Sequence, residues 1–504
     1  MKQYIKKILE ANVYDVAIES PLDAAPGLAE RLRAPVFLKR EDLQPVFSFK
    51  CRGAYNKLSK LDDAARRRGV IAASAGNHAQ GVALAAAELG VRAIIVMGTN
   101  TPSIKVDAVR RRGARVILHG DSFDDAYAHA MNLVEEEGYT FLHPFDDAEV
   151  IAGQGTVGME ILRQHTGPLH AIFVPIGGGG LITGIGTYVR YLRPDVKIIG
   201  VEHDGSAGMA AALAAGRRVS LKAADIEQFA DGTAVRQVGK ETFRLAKQCI
   251  DEVITVTVDE ICAAIKDVFE DTRTISEPSG ALSVAGMKKY VEREGGAPGP
   301  MVSVVSGANM NFDRLRHVAE RTEIGEHREL LLGVVIPERT GSFRQFCRAI
   351  GKRAVTEFNY RYAPGDEAHV LVGIQTSPGR GDRDALVEKM RRKDQVVDLS
   401  ENEAAVLHVR HMVGGRTTGL GHERLFRFEF PERPGALMRF LDVLGSDFNI
   451  TMFHYRNHGS AYGRVLAGIE VPDKHFPRLV KDLARLGYRF WEETDNPAYE
   501  MFLR

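Results

Sequence analysis

Up to about residue 317, short apolar runs alternate with longer stretches in which apolar residues recur at helical spacing. VIAAS (70–74), RAIIVMG (92–98), ARVILHG (114–120), AIFVPIG (171–177), KIIGVEH (197–203) and MVSVVSG (301–307) read as buried strands. HAQGVALAAAELG is one of the alanine-rich helical stretches between them. Apolar strands alternating with helices predict an α/β body, a largely parallel sheet covered by helices on both faces. The opening MKQYIKKILEANVYDVA reads as an amphipathic helix, without the apolar core and small-residue cleavage site of a signal segment.

The pattern changes at ERTEIGEHREL (320–330), where charges crowd out apolar residues as in a linker. Beyond it the chain repeats itself. IPERTGSFRQFCRAI (336–350) aligns with FPERPGALMRFLDVL (430–444), VTEFNYRY (355–362) with ITMFHYRN (450–457), and ENEAAVLHVR (401–410) with DNPAYEMFLR (495–504). The offset is 94 residues from Pro337 to Pro431, 95 in the middle, and 94 again from Asn402 to Asn496. So steady an offset marks a duplication. Each copy reads strand, helix, strand, strand, helix, strand, the ferredoxin-like α+β order. The expected division is a body at 1–320, a linker at 321–328, and two small modules at 329–411 and 423–504.

Composition narrows the classes of function. The 504 residues are 44% hydrophobic and 26% charged, with Lys+Arg and Asp+Glu equal at 66 each. A balanced charge argues against nucleic acid or an anionic membrane as the main partner. No run approaches the roughly 20 apolar residues that cross a bilayer. Cys51, Cys249, Cys262 and Cys347 are scattered without a CxxC pair, so neither a disulfide framework nor a zinc site is indicated. No metal is expected, and a cytoplasmic setting fits best.

Candidate chemistry sits in four short stretches. FSFKCRGAYN (47–56) holds Lys50 between Phe49 and Cys51. Apolar neighbours that desolvate an amine lower its pKa and make it a nucleophile, whereas an ordinary lysine is a solvated surface charge. PIGGGGLITGIG (175–186) follows a strand and opens a helix. Gly177 to Gly180 free backbone N–H groups to approach an anion at a helix N-terminus, as for a phosphate. No Gly-Lys-Ser/Thr follows, so it is not a Walker loop. GQGTVG (153–158) satisfies GxGxxG but lacks a preceding strand and a following acid, and reads as a close-packed helix start. SAGNHAQG (74–81) also follows a strand; Ser74 and Asn77 either cap the helix or offer donors to a carboxylate and a phenolic oxygen. SGANMN (306–311) places the Ser306 hydroxyl at another strand tip. The three loops are expected at the carboxyl ends of strands in one sheet, the ligand-binding edge of open α/β folds.

Together these motifs resemble the pyridoxal phosphate enzymes of fold type II, the tryptophan synthase β-like family, and within it the threonine dehydratase (threonine ammonia-lyase) group in its long form. The paired C-terminal modules are similar to that group's two ACT-like regulatory domains. Cys51 departs locally, since an aliphatic residue is usual after the lysine. The resemblance implies that Lys50 carries pyridoxal 5'-phosphate and later removes the Cα proton, with Phe49 packing near the pyridine ring. Gly177, Gly178, Gly179, Gly180 and Leu181 would cradle the phosphate, Asn77 would contact the ring oxygen, and Ser306 would face the ring nitrogen. A hydroxyl there, rather than a carboxylate, leaves the nitrogen nearly neutral and favours prompt β-elimination over transamination. Ser74 and its loop would hold the substrate carboxylate. Glu277, in TISEPSGA, resembles a residue at the cofactor edge, and equally reads as a helix-capping carboxylate.

The implied reaction converts L-threonine to 2-oxobutanoate and ammonia, the first committed step of isoleucine biosynthesis. L-serine is an alternative substrate, and racemisation or β-replacement are alternative chemistries on the same fold. A non-catalytic amino-acid sensor is the alternative of a different class. Isoleucine as inhibitor and valine as opposing effector are implied for the tail, at Phe343, Arg353 and Tyr360 in the first module and Leu437, Leu441 and Leu444 in the second. Phe343 and the leucines also sit at helical spacing, where core packing is the preferred reading, and Arg353 reads equally as a solvated charge. Coupling between distant sites implies a symmetric assembly, a homotetramer.

Overall fold

The six apolar runs fold as strands, and four further strands join them. In the computed structural model, β1 (Leu22–Ala24), β2 (Val36–Arg40), β7 (Ala171–Pro175), β8 (Lys197–His203), β9 (Glu252–Val256) and β10 (Met301–Val305) form a six-stranded sheet in the order β1-β2-β10-β7-β8-β9. Only β1 runs antiparallel in it. A second, wholly parallel sheet has the order β5-β4-β3-β6, from β3 (Val70–Ala73), β4 (Ala93–Met97), β5 (Arg115–Leu118) and β6 (Thr140–Phe141). Every residue of β3, β4, β7 and β10 is buried, as parallel strands covered on both faces require.

This corrects the expectation of one sheet. The SAGN loop follows β3 in the small sheet, whereas the GGGG and SGAN loops follow β7 and β10 in the large one. Apolar runs record that a strand is covered on both faces but not which neighbour it pairs with. GQGTVG is likewise displaced: it lies in the middle of the helix Ala148–Gln164, not at its start. Close packing is nevertheless its purpose. A Cβ on Gly153 would meet Gly53 Cα at 2.7 Å, and one on Gly184 would meet Ile151 O at 2.6 Å.

The structure describes the chain except residues 223–225, 313, 326–328, 340, 352, 363, 377–379, 403–404, 406–408, 413–419, 432–434, 446, 457–461, 497–498, 500–502 and 504. Parts of the PERTG and PERPG loops, of the linker and of the matched C-terminal stretches thus lie outside the described residues. Two units are present, Met1–Thr322 and Glu323–Arg504. A helix, Arg314–Gly325, occupies much of the stretch expected to be a linker.

In the second unit β11 (Glu329–Pro337), β12 (Val355–Arg361), β13 (Glu367–Gln375) and β14 (Gln395–Asp398) form the first copy, with helices Ser342–Ile350 and Arg380–Arg391. β15 (Glu423–Pro431), β16 (Asn449–Arg456), β17 (Tyr462–Glu470) and β18 (Arg489–Glu492) form the second, with helices Ala436–Leu444 and Phe476–Leu486. The copies are not separate modules. They share one antiparallel sheet of order β14-β11-β13-β12-β16-β17-β15-β18. β12 pairs with its own counterpart β16, Glu357 opposite Arg456, Asn359 opposite His454 and Arg361 opposite Met452. With the repeat offset of 95, that register maps onto itself, so the join is an isologous contact within one chain. Among the described residues no helix is long and apolar enough to cross a membrane, and no group of three or more His, Cys, Asp or Glu could hold a metal ion.

Candidate active site

The lysine segment is shaped by a turn that only its neighbours make tolerable. Phe47 adopts φ 54° in the left-handed region, a strain of about 1–2 kcal/mol for a residue with a Cβ. Its N–H bonds Gln44 O at 2.7 Å and its carbonyl accepts from Ala308 N at 2.9 Å. Lys50 opens the helix Lys50–Ser59; its Nζ donates to Pro144 O at 3.1 Å and lies 5.2 Å from the Phe49 ring centre. Burial lowers its pKa to about 8, with the Glu277 charge opposing the shift. Lys50 is therefore a desolvated amine rather than a freely solvated surface charge. Cys51 fills the aliphatic slot, fully buried in the core below, and burial pushes its thiol up to about 12. Behind the helix, Arg52 bridges Glu41 and Glu160 at 2.8 and 2.6 Å, and Lys39 bonds Glu160 at 2.6 Å, all four side chains fully buried. Removing one member of such a network leaves an unpaired buried charge, at about 3–5 kcal/mol, so the lysine helix is rigidly seated.

Two helix N-termini offer unused donors. Among the described residues, none of the backbone N–H groups from Gly177 to Ile182 bonds a backbone carbonyl. They lead into the helix Gly180–Leu192, whose cap Gly179 has φ 98°. The glycines also admit close neighbours: a Cβ on Gly178 would lie 2.2 Å from the Phe145 ring, and one on Gly180 3.2 Å from the Phe145 backbone. Phe145 follows Pro144, the residue that accepts from Lys50, which ties the glycine loop to the lysine. The second terminus is that of the helix Asn77–Glu88, where the N–H groups of Ala75, Asn77, His78 and Ala79 take no backbone carbonyl. Ser74 Oγ accepts from Gly76 N at 3.2 Å. That helix runs against the lysine helix, since a Cβ on Gly81 would meet Lys50 O at 3.0 Å.

The SGAN loop joins them. Phe49 N bonds Ser306 O at 3.4 Å, and Ser48 bridges Gly307. Ser306 Oγ donates weakly to Ser279 O at 3.3 Å, which leaves its hydroxyl free to turn to a better acceptor. Glu277 occupies the cap position of helix Pro278–Glu294 but makes no side-chain cap, which removes the capping reading. Its Oε1 accepts instead from Asn77 Nδ2 at 2.6 Å. Burial and then Asp231 raise its pKa to about 7, against the Asn77 bond.

Lys50, Phe49, Ser74, Asn77, the four glycines, Leu181, Ser306 and Glu277 thus converge. The turn at 143–146, with His143, was not legible as part of the site, and His78 was legible only through its backbone N–H, not its ring. His78 is buried beside Lys50 and bonds Leu142 O at 2.9 Å; burial, then the lysine, lowers its pKa to about 3, so the ring is neutral. His143 Nδ1 accepts from Asp146 N at 2.8 Å, and burial lowers its pKa too. HPFDD ahead of a helix was the one signal available, a turn.

Of the six tail positions, Phe343, Tyr360, Leu441 and Leu444 line one cavity of about 40 Å³ between the copies, with Glu338 and Arg344. Phe343, Leu441 and Leu444 are core residues as well. Arg353 does not line it and pairs with Asp382 at 2.7 Å, and Leu437 packs on the core edge. Neither side chain lines this cavity, since charge and spacing do not report which partner a side chain finds.

The donor set suits pyridoxal phosphate: free helix-terminal N–H groups for a phosphate, a low-pKa amine for an aldehyde, an amide for a ring oxygen and a hydroxyl for a ring nitrogen. Comparison with known proteins agrees. A family model described as pyridoxal-phosphate dependent enzyme matches residues 13–307, and one described as C-terminal regulatory domain of threonine dehydratase matches 320–409 and 414–503. The chain is 56% identical to the biosynthetic L-threonine dehydratase of Burkholderia multivorans over 99% of both chains. It is 50% identical to that of Escherichia coli, over 99% of this chain and 97% of the other. Among solved structures, processed threonine deaminase isoform 2 from Solanum lycopersicum is similar at 50% identity and TM-score 0.62, over 64% of this chain and 92% of the other. Serine racemase from Dictyostelium discoideum aligns at 31% identity and TM-score 0.56, over 61% and 99%. With both family models matched in order and a relative aligned over 99% of the chain, the chain belongs to the pyridoxal-phosphate dependent enzymes of fold type II, in the threonine dehydratase family that carries a duplicated regulatory domain.

Proposed function

We propose that this chain dehydrates and deaminates L-threonine to 2-oxobutanoate and ammonia, as a cytoplasmic homotetramer inhibited by isoleucine and relieved by valine. The carrying observation is the convergence of a low-pKa lysine with two helix N-termini whose donors are unused. Pyridoxal phosphate, when bound, supplies the sink for the electron pair released at Cα. The N–H groups of Gly177 to Leu181 would hold its phosphate, Asn77 would donate to its ring oxygen, Ser306 would face its ring nitrogen, and Phe49 would pack near its ring. The loop from Ser74 to Ala79 binds the substrate carboxylate at the other helix terminus. Lys50, oriented by Pro144 O, takes the Cα proton on Nζ; a pKa near 8 lets the amine both accept and return it close to neutral pH. Loss of the β-hydroxyl as water, followed by hydrolysis, returns that water and releases ammonia.

Effector binding is assigned to the cavity between the copies. Its apolar wall suits a branched side chain, and Glu338 with Arg344 offers opposite charges to an ammonium and a carboxylate. The test is a 2-oxo acid assay with L-threonine or L-serine, with and without isoleucine and valine. No oxo acid from threonine overturns the enzyme assignment, faster turnover of serine overturns the substrate, and unchanged rates at saturating isoleucine overturn the regulation.

A further inference from the structure

Asn77 is committed on both ends of its amide before any ligand arrives. Asn309 Nδ2 donates to Asn77 Oδ1 at 2.7 Å and to Val46 O at 2.9 Å, which uses both of its amide hydrogens. Asn77 Nδ2 donates to Glu277 Oε1 at 2.6 Å. One hydrogen of the Asn77 amide remains. A half-turn of that amide would set its NH2 against the NH2 of Asn309 and its oxygen against the Glu277 carboxylate, breaking both bonds and adding two repulsive contacts.

Given the placement of Asn77 beside the cofactor ring oxygen proposed above, we infer that Asn309 and Glu277 are positioning residues that lock Asn77 as an obligate donor. A donor favours the ionised ring oxygen over the phenol, and so fixes the charge state in which the cofactor is held. The lock also spans the whole site. Val46 lies four residues before Lys50, Asn309 three after Ser306, and Glu277 opens the helix behind them. Asn309 reinforces it from its backbone, whose N–H bonds Glu277.

The test uses the full-length protein stripped of cofactor and titrated with pyridoxal phosphate. Wild type, Asn77→Ala, Asn309→Asp, Glu277→Gln and the double variant Asn77→Ala/Asn309→Asp are compared. The readouts are the dissociation constant and the pH midpoint of the visible absorbance of the Lys50-bound cofactor. Asn309→Asp puts an acceptor where a donor stood, and Glu277→Gln removes the charge that holds the Asn77 NH2. Each is expected to weaken binding about tenfold, equivalent to about 1.4 kcal/mol, and to raise the midpoint, because a less stabilised oxygen anion holds a neighbouring proton more tightly. In the Asn77→Ala background Asn309→Asp is expected to change neither readout further. Full additivity in the double variant, or weaker binding with an unmoved midpoint in both single variants, reduces the pair to a structural role and overturns the lock. Unchanged readouts in Asn77→Ala alone overturn the placement of Asn77 itself, a separate failure. If Asn309→Asp does not fold, the binding and midpoint of Glu277→Gln decide for or against the lock by the same criteria.

Discussion

A lysine among phenylalanines is ambiguous as text, and one carbonyl with its surroundings decides it. Pro144 O holds Nζ, and burial rather than any cation lowers the pKa to about 8. Only the neutral amine attacks an aldehyde, so capture of pyridoxal phosphate by the stripped protein should accelerate as pH rises and level off above about 8. Stopped-flow absorbance between pH 6 and 10 checks it; a rate still climbing tenfold per unit at pH 9.5 would mean an ordinary lysine. At this scale the sequence was informative where a residue type is rare in its setting: Lys50 in an apolar run, Asn77 and Ser306 at strand tips. It was silent on Pro144, Phe145, Asn309 and the ring of His78, because a backbone carbonyl, a ring against glycine and a buried amide acquire meaning only from what packs on them. Glu277 shows the limit well. Its position reads as a cap, and only the Asn77 amide reveals otherwise.

Glycine serves two purposes in these elements, and the structure separates them. Gly155 and Gly184 let the helices Ala148–Gln164 and Gly180–Leu192 touch backbone to backbone. Gly76, in the carboxylate loop, has nothing within 4 Å of a built Cβ and no positive φ. Gly184→Ala should therefore destabilise the fold by about 1–3 kcal/mol and weaken phosphate binding, because it displaces the helix whose N-terminus forms the cradle. Gly76→Ala should leave stability within about 0.5 kcal/mol yet raise the KM for threonine, as the methyl enters space kept for the carboxylate. Thermal unfolding and steady-state kinetics on the pair separate the effects; a Gly76→Ala protein that unfolds early with normal KM would reverse the assignment. The strands themselves were legible, since uninterrupted apolar runs have few other uses. Their pairing was not, which is why loops expected on one sheet edge belong to two.

At the scale of the chain, the duplication was plain from its offset, but the fusion of the copies was not, since a repeat is silent on whether its units pair. β12 against β16 makes one sheet of two, and Phe343 extends the join, with its ring 5.5 Å from Phe453 of the other copy. The cavity beside it, about 40 Å³, has room for a few waters and not for an amino acid. Under the proposed effector assignment, a ligand entering this cavity would have to part the copies, working against the Phe343–Phe453 contact and the Arg344–Asp442 ion pair at 2.5 Å. Such parting would make the cavity the two-state element that inhibition at a distance needs. Phe343→Leu, which installs the residue type found at the equivalent Leu437, tests it. The change should cost about 1–1.5 kcal/mol of stability while shifting the half-inhibitory isoleucine concentration by about tenfold, since a ligand that works against the closed state gains or loses by what closing is worth. Loosening the join favours opening, and losing the ring removes a wall contact for the ligand. With the wall contact the larger of the two, the shift should be upward, with threonine turnover in the absence of effector within about twofold of wild type. An inhibition curve identical to wild type would remove effector binding from this cavity, and turnover that falls with it would show that the ring supports the catalytic unit instead.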